Sequence, residues 1–327
     1  MSSDGMAAAL AGALGRAGHE VAVEDLRRLS GGANQETWAF AALTPAGPRD
    51  LILRRAPGGH DGAAAAAGMA LETRVISVAR SVGVPAPEVI VLLVPEDGLG
   101  AGYVMTRAQG ETLARKILRD AAFDAVRPRL ARQCGRVLAH LHTAPAGGIA
   151  DLPRLDGPTQ LRQYRERYRS YGQPKPVFEL AFAWLEPRLA AVERPALVHG
   201  DFRHGNLMVH PERGLEAVLD WELTHLGDPR EDLGWICVNS WRFGADRRVG
   251  GFGDLDDLLG GYVEAGGEPF TEADIRLWEM LGVLKWGVGC MSMYEVFRSG
   301  HDRSVERAAI GRRSSECEID LLNLLAA

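Results

Sequence analysis

A polar loop between two short apolar runs, at residues 197–209, is the feature that most constrains how this chain can fold. The segment reads Leu-Val-His-Gly-Asp-Phe-Arg-His-Gly-Asn-Leu-Met-Val and carries Asp201 and Asn206 in its loop. Its two glycines allow the backbone to turn sharply and to approach a ligand closely. The next apolar run, 216–219, ends at Asp220. A strand–loop–strand hairpin of this kind can bring these three polar side chains together.

The N-terminal third of the chain has the pattern of an antiparallel meander. An alanine-rich helix is predicted over residues 1–20. Strands are predicted where short apolar runs alternate with turns that contain glycine or proline, at 21–29, 36–41, 51–54, 89–94 and 102–106. Leu71, Val75 and Val78 are spaced for one face of a helix over 63–81.

After Gly110 the pattern becomes helical. Apolar spacing predicts helices at 130–142, 160–171, 177–191, 231–241, 255–265, 273–297 and 305–325. Only the segment 197–219 has the pattern of strands. The sequence therefore predicts an α+β fold of two lobes, a small antiparallel-β N-terminal lobe (1–108) and a larger, mostly helical C-terminal lobe (109–327).

Charge and cysteine content exclude several classes of protein. The chain has 37 Lys+Arg and 43 Asp+Glu, a net charge of −6, whereas a nucleic-acid binder usually carries a basic stripe. No apolar run approaches the roughly 18 residues of a membrane span. The four cysteines are scattered without a CxxC pair, as expected for reduced thiols. We expect a cytoplasmic protein that binds neither nucleic acid nor membrane; the residues do not indicate an oligomeric state.

The polar residues of the loop are those that phosphoryl transfer requires. One carboxylate orients the attacking hydroxyl and accepts its proton, while a second carboxylate and an amide oxygen hold Mg²⁺ against the phosphates of a nucleotide. Protein kinases arrange these groups as H-R-D-x-x-x-x-N followed by D-F-G. This chain has H-G-D-x-x-x-x-N at 199–206, followed by L-D-W-E at 219–222.

These two motifs, together with Gly-Asp-Pro-Arg-Glu-Asp-Leu at 227–233, resemble the aminoglycoside phosphotransferase/choline kinase family of small-molecule kinases. The resemblance covers nearly the whole chain and is closest to the branch that also occurs fused to acyl-CoA dehydrogenases. It implies a protein-kinase-like fold, ATP and Mg²⁺ as cofactors, and a small-molecule hydroxyl acceptor. It also implies that Asp201 is the catalytic carboxylate, that Asn206 and Asp220 are the magnesium ligands, and that His199 supports the loop.

The N-terminal lobe contains the residues that the resemblance assigns to the nucleotide phosphates. The family's phosphate-covering loop corresponds to Ser30, Gly31, Gly32 and Asn34, whose backbone N–H groups can face anionic oxygens. By itself, a Gly-Gly turn between two strands usually indicates only a hairpin.

Arg54 falls where kinases carry the lysine that pairs with the α- and β-phosphates, and Glu72 falls where its partner glutamate is expected. Residues 1–115 contain no lysine at all. Arginine can replace it, because its planar fork engages phosphate and stays charged. Arg55, which faces the other side of the strand, is an alternative for this role, and the two side chains of Arg54 and Glu72 can instead be plain surface charges.

The strand 102–106 and the residues after it resemble the hinge that receives adenine. The contacts expected there are backbone groups around Thr106 and Ala108, and Met105 is placed to line the base pocket, although an apolar residue of a strand is usually explained by burial. ATP is expected, but these residues do not separate it from GTP.

Several polar residues near the motifs are predicted to be structural. Asp228 and Pro229 are typical of a helix start, and Asp232 is expected to support the catalytic loop. His142, with His140 on the same predicted helix, is also expected to be structural. Trp221 and Glu222 directly follow the expected metal ligand and are predicted to face the substrate.

Three other interpretations remain open at this stage. Asp201 and Asp220 can be turn residues beside buried strands, as Asp often is. The missing lysine fits a nucleotide-binding pseudokinase or regulatory module without transfer activity. His199 and His204, with the two aspartates, also resemble the ligands of a metallohydrolase. The acceptor is the least defined part, and the candidates are a hydroxyacyl-CoA and an aminoglycoside-like or other metabolite alcohol.

Overall fold

The computed structural model describes residues 2–29, 35–60 and 62–326. The chain divides into two compact units. Unit 1 comprises Met1–Gly110, Pro145–Asp151 and Glu216–Glu222, and unit 2 comprises Glu111–Ala144, Leu152–Leu215 and Leu223–Ala327. The lobe boundary predicted between residues 108 and 109 lies two residues before the end of the first segment of unit 1. The segments 145–151 and 216–222 lie outside the predicted N-terminal lobe, because sequence patterning does not show which distant segments pack on a sheet.

Unit 1 is built on one antiparallel five-stranded sheet with the strand order β1-β2-β3-β5-β4. Its elements are α1 (Ser3–Arg16), β1 (Ala22–Arg28), β2 (Glu36–Thr44), β3 (Gly47–Arg55), α2 (Ala63–Ser81), β4 (Val89–Leu92) and β5 (Gly102–Thr106). The meander and the helix α2 are thereby confirmed. β2 and β3 form a hairpin in which Trp38 faces Leu53 in register.

The core of unit 1 forms between α1 and the sheet. Ser2 caps the helix by accepting a hydrogen bond from the Gly5 N–H, at 3.2 Å. Met6, Leu10 and Leu14 recur every fourth residue, so they lie on one face, and they are buried with Leu53 of the sheet. Burial of a side chain of this kind stabilises a fold by up to about 1.5–3 kcal/mol.

Unit 2 is mostly helical. Its elements, with the strand β9 that continues into unit 1, are α3 (Ala114–Arg119), α4 (Leu130–His142), β6 (Arg154–Leu155), α5 (Gly157–Ser170), α6 (Pro176–Leu185), β7 (Ala196–Val198), β8 (Leu207–His210), β9 (Gly214–Val218), β10 (His225–Gly227), α7 (Arg230–Trp235), α8 (Leu255–Glu264), α9 (Glu272–Arg298), α10 (Val305–Arg312) and α11 (Ser314–Ala326). β6, β10 and β7 form a three-stranded sheet, and β8 pairs with β9.

The core of unit 2 surrounds the long helix α9. Phe178, Phe182 and Leu185 of α6 are buried with Leu281 and Leu284 of α9. α9 begins with a capping box in which Thr271 and Asp274 exchange hydrogen bonds. The helix predicted over 305–325 is two helices, and this break allows both α10 and α11 to pack against α9.

The start of α7 differs slightly from the prediction. The helix begins at Arg230, and the Asp228 carboxylate accepts a hydrogen bond from the Arg230 N–H at 2.9 Å. The helix ends at Trp235, earlier than the predicted 241, and a short 3₁₀ turn follows. The α+β fold class is confirmed. The four cysteines are buried and free, and none of the helices in the described residues is both long and apolar enough to cross a membrane.

Candidate active site

Arg54, near the end of β3, is the centre of a charged cluster in unit 1. Its side chain is 13% exposed, and its Nε lies 3.5 Å from Glu72 Oε1. Its Nη2 is hydrogen-bonded to Asp220 Oδ1 and lies 3.6 Å from Glu222 Oε2. Burial disfavours the charge of Arg54, but Glu72 and Asp220 raise its pKa above the ordinary value of arginine. The guanidinium therefore stays charged among three carboxylates.

Glu72 is held from two sides. Tyr103, which faces Arg54 in register on β5, donates its hydroxyl to Glu72 Oε1 at 3.0 Å. Burial raises the pKa of Glu72, while Arg54 and the Tyr103 hydroxyl act in the opposite direction. This is the pair that the resemblance implies, with arginine in place of lysine.

Arg55 has a different partner, because consecutive residues of a strand point to opposite faces. Its Nε donates to Glu36 Oε2 at 2.9 Å, and its Nη1 donates to the Leu99 carbonyl at 3.2 Å. Arg55 is therefore committed to a contact between neighbouring strands. Of the two arginines, Arg54 is the one that meets Glu72.

Asp220 follows β9 with an unusual backbone. Its φ is 67°, in the left-handed region that residues other than glycine rarely adopt. Such conformations cost about 1–3 kcal/mol and cluster at functional sites.

The neighbouring Trp221 was expected to face the substrate, and this was wrong. Trp221 is 2% exposed, and its indole N–H donates to the Val218 carbonyl at 3.1 Å, because the turn directs the ring back towards the strand. Glu222 remains partly exposed and accepts a hydrogen bond from Gln35 Nε2 at 3.3 Å.

The loop after β7, in unit 2, is fixed by Asp232. The two carboxylate oxygens of Asp232 accept the N–H groups of His199 and Gly200 at 2.8 and 2.9 Å. His142 Nε2 lies 3.1 Å from the same carboxylate, and His142 Nδ1 lies 2.9 Å from the Tyr262 hydroxyl. The structural roles predicted for Asp232 and His142 are confirmed.

Asp201 is presented by this loop with three side-chain donors around its carboxylate. Trp235 Nε1 and Arg203 Nε each donate to Oδ1 at 2.9 Å, and Asn206 Nδ2 donates to Oδ2 at 2.7 Å. The carboxylate is partly buried, at 14% exposure. These bonds fix its orientation, as a group that must align a hydroxyl requires.

The spacing of five residues between Asp201 and Asn206 brings the Asn206 amide onto the Asp201 carboxylate. Its Nδ2 also donates to the Asp201 carbonyl at 2.9 Å. Both hydrogen bonds use the amide nitrogen, so within the described residues the amide oxygen is left for another partner. Amide and carboxylate oxygens are the ligands that Mg²⁺ takes in proteins. The donor chemistry of Asn206 in unit 2 and of Asp220 in unit 1 therefore fits a magnesium ligand.

Gly200 is required for its position in the loop. Its φ is +81°, and a Cβ atom built there would lie 2.6 Å from the Leu223 carbonyl oxygen. We predict that Gly200→Ala lowers the free energy of unfolding by about 2–4 kcal/mol, combining backbone strain with the overlap. The measurement is denaturant unfolding. Gly172→Ala is the matched control, because Gly172 has φ +63° but open space around its Cβ position. Equal losses in the two variants would show that the overlap with Leu223 has no effect.

The remaining predicted nucleotide residues are placed only in part. Ser30, Gly31, Gly32 and Asn34 lie outside the described residues. Met105 and Thr106 end β5, with Met105 half-buried.

In the hinge segment, two backbone donors are occupied. The N–H of Thr106 donates to the Glu88 carbonyl at 2.9 Å, and that of Arg107 donates to the Asp50 carbonyl at 3.1 Å. In the part of the chain that the structure describes, the N–H of Ala108 has no such partner. Of these three, it is the donor left for a ligand.

The metallohydrolase interpretation is not supported. Within residues 2–29, 35–60 and 62–326, no group of three or more His, Cys, Asp or Glu side chains is arranged to hold a metal ion. His204 instead packs against Phe252, with ring centroids 5.0 Å apart. Burial lowers the pKa of His204 to about 4.

Sequence reasoning missed two residues that orient Asp201. Arg203 is two positions away in the same loop, and a sequence pattern alone offered no reason to prefer it over other loop residues. Trp235 follows 34 residues later, and no spacing rule connects a helix position to a loop that far away.

Comparisons with known proteins show relatives in sequence and in fold. Mouse acyl-CoA dehydrogenase family member 10 is 31% identical over 219 residues, which are 64% of this chain and 20% of the mouse protein. This chain thus spans about a fifth of that relative. A candidate aminoglycoside phosphotransferase from Ralstonia eutropha has a TM-score of 0.76 at 22% identity, covering 99% of this chain and 98% of the other. Choline kinase from Cryptosporidium parvum has a TM-score of 0.61 at 11% identity, covering 93% and 89%.

The two solved structures share the protein-kinase-like fold, which confirms the predicted architecture. The model of the phosphotransferase enzyme family (APH) matches residues 25–278, more than half of the chain, and includes Arg54, Glu72, Asp201, Asn206 and Asp220. The chain therefore belongs to the phosphotransferase enzyme family.

Proposed function

We propose that this protein is an ATP- and Mg²⁺-dependent phosphotransferase that moves the γ-phosphoryl group to a hydroxyl of a small molecule. The observation that carries the proposal is the environment of Asp201. Three donors orient its carboxylate, while the amide oxygen of Asn206 has no partner in the described part of the chain and is left for a cation. An oriented carboxylate next to a free amide oxygen is what a kinase uses to align a hydroxyl and hold a metal.

Each proposed role follows from the chemistry of the side chain. Asp201 orients the acceptor hydroxyl and takes its proton. Asn206 and Asp220 hold Mg²⁺, which when bound neutralises the charge that develops on the phosphates. Arg54 supplies a fixed positive charge for the phosphates, and Glu72 keeps its side chain in place. Phosphoryl transfer depends mostly on such positioning and charge neutralisation.

The rest of the nucleotide site stays a prediction. The backbone N–H groups of Ser30, Gly31, Gly32 and Asn34 are proposed to cover the phosphates. Around the base, Met105 lines one side, and the backbone of Thr106 and Ala108 receives the adenine. The cytoplasmic location also stays a prediction from the use of cysteine.

The acceptor is proposed only as a class. The relatives named acyl-CoA dehydrogenases support a hydroxyacyl-CoA, and the fold shared with an aminoglycoside phosphotransferase candidate and choline kinase supports an amino sugar or another metabolite alcohol. A screen of ATP consumption over hydroxylated metabolite classes, with an Asp201→Asn blank, identifies the acceptor class.

A pseudokinase is the second candidate, and one observation favours it. Arg54 is hydrogen-bonded to Asp220, the proposed magnesium ligand. A guanidinium on that carboxylate competes with a metal ion. A protein that binds nucleotide without Mg²⁺ would keep this hydrogen bond between Arg54 and Asp220 when the nucleotide is bound.

Thermal unfolding with ATP separates the two candidates. At ligand concentrations about 100-fold above Kd, we expect ATP with Mg²⁺ to stabilise the protein by about 2.7 kcal/mol, and ATP with a chelator to stabilise it less. Asn206→Ala and Asp220→Asn should remove the Mg²⁺-dependent part. Asp246→Asn, an exposed position in unit 2, serves as the control. The same shift with and without Mg²⁺ would favour the pseudokinase.

A further inference from the structure

A cavity of about 140 Å³ in unit 2 adjoins Asp201 and is called the acceptor pocket here. Its described lining includes Tyr164, Arg167, Gly200, Trp235 and Lys285. Trp235 connects it to Asp201, because the indole N–H donates to the carboxylate at 2.9 Å. Gly200 directly precedes Asp201 in the chain. The acceptor pocket is therefore lined by the chain neighbour of the proposed base and by one of the donors that orient it.

The described lining of the acceptor pocket leaves no carboxylate for a cationic ligand, and the neighbouring Asp201 is already paired with Arg203. Among its described lining residues, Glu231 is the one acidic side chain. Glu231 accepts three hydrogen bonds, from Lys285 Nζ at 2.6 Å, Gln160 Nε2 at 2.5 Å and His225 Nε2 at 3.1 Å. Burial opposes the charge of Glu231, but Lys285 and His225 outweigh it and lower its pKa to about 2. The negative charge of Glu231 is thus compensated by these neighbouring side chains.

Positive charge, in contrast, is in excess. Arg167 is exposed on α5, with its guanidinium carbon 5.6 Å from the ring centroid of Tyr164. The ion pairs found in the described residues do not include Arg167. Lys285 has three donors on its ammonium, and its described hydrogen bonds use one, on Glu231. Because Lys285 balances Glu231, the charge of Arg167 remains for a ligand.

The volume limits the size of what the acceptor pocket encloses. A cavity of about 150 Å³ is known to hold one benzene molecule, which has six heavy atoms. The acceptor pocket is of that size, so it encloses a fragment of about six or seven heavy atoms. A polycationic amino sugar has the wrong charge for this lining.

We propose that the acceptor pocket binds a small hydroxycarboxylate, with Arg167 as the counter-ion of its carboxylate and with its hydroxyl next to Asp201. The transfer step rests on the proposed function. In the transfer step, the hydroxyl oxygen of the hydroxycarboxylate forms a bond to the γ-phosphorus of ATP. The bond from that phosphorus to the β–γ bridging oxygen breaks. The hydroxyl proton passes to Asp201, and ADP is the leaving group.

Three matched alcohols test the charge preference. These are 3-hydroxybutyrate, butane-1,3-diol and 4-aminobutan-2-ol, which share a secondary hydroxyl and differ in charge at the other end. Binding is measured without ATP by calorimetry, and transfer is measured separately with γ-labelled ATP. Because a charge-assisted, bidentate arginine contact is about twice as strong as a neutral one, we expect the carboxylate to bind at least about tenfold more tightly than the diol.

Variants on α5 assign this preference to Arg167. Arg167→Gln should abolish the preference for the carboxylate and leave binding of the diol unchanged. Arg162→Gln, at an exposed position of the same helix outside the lining of the acceptor pocket, should retain the preference. Equal binding of the three alcohols by the wild type, or an unchanged preference in Arg167→Gln, overturns the inference.

The binding and transfer measurements separate this inference from the proposed function. Tighter binding of 3-hydroxybutyrate that depends on Arg167, with no transfer to any alcohol, supports the acceptor pocket and counts against the kinase. Preferential transfer to 4-aminobutan-2-ol supports the kinase and overturns the inference.

Discussion

Replacing Asp201 by asparagine is expected to lower the rate of phosphoryl transfer by about 10²–10⁴-fold, the usual contribution of a general base. The amide keeps the size of the side chain but cannot accept the proton of the hydroxyl. ATP binding should change little, because no nucleotide contact is proposed for Asp201. The measurement compares initial rates of label transfer with ATP affinity from thermal shifts.

The control for this prediction is Asp246→Asn, which makes the same chemical change at an exposed position. Asp201→Ala provides a second check, since it also removes the acceptor of the Trp235, Arg203 and Asn206 hydrogen bonds. A rate in Asp201→Asn within about tenfold of the wild type would be too small an effect for a general base.

Replacing Arg54 by alanine is expected to cost about 3–5 kcal/mol of unfolding free energy, because it leaves a buried carboxylate without its partner. That carboxylate is Glu72, which is 4% exposed. ATP affinity should fall as well. Arg54→Lys should retain most of both, since it restores the residue that kinases carry and keeps the positive charge.

The pH dependence of Arg54→Ala has a definite sign. Burial already raises the pKa of Glu72, and Arg54 opposes this rise. Without Arg54, the folded-state pKa of Glu72 rises further above its unfolded value, so the folded protein binds the proton more tightly. The loss of stability should therefore be smaller near pH 5 and grow as the pH rises to 8.

Arg49→Ala is the control for Arg54, because Arg49 lies on the same strand in an exposed pair with Glu88. A surface pair contributes about 0–1 kcal/mol, so this variant should be close to the wild type. If Arg54→Ala and Arg49→Ala lost equal stability, the pair of Arg54 and Glu72 would not be an important contact.

The sequence was informative where periodicity and turn chemistry act locally. Apolar spacing predicted α2 and α4 at their observed bounds, because one face of each helix is buried. The motif at 227–233 also led to the prediction that Asp232 supports the catalytic loop, and its carboxylate does accept the N–H groups of His199 and Gly200. The side-by-side positions of Arg54 and Arg55 predicted opposite faces, the resemblance assigned the phosphate role to Arg54 with Arg55 as the alternative, and in the structure Arg54 is the one that meets Glu72.

The rest depends on tertiary packing. Trp221 was expected to face the substrate because of its place in the motif, whereas a backbone turn at Asp220 directs its ring back to Val218. The contact between Trp235 and Asp201 joins residues 34 positions apart. The acceptor pocket is lined from several separate elements, so the neutralised charge of Glu231 could be recognised only once they are brought together.

The most direct test of the whole account is transfer of label from γ-labelled ATP to an alcohol, measured side by side in the wild type and Asp201→Asn. The reaction contains Mg²⁺ and the hydroxylated acceptors, and the label is counted in a product that is neither ATP nor inorganic phosphate. The account predicts a Mg²⁺-dependent labelled product with the wild type and at least about 100 times less with Asp201→Asn. Equal labelling by both proteins, or labelling that persists without Mg²⁺, would contradict it.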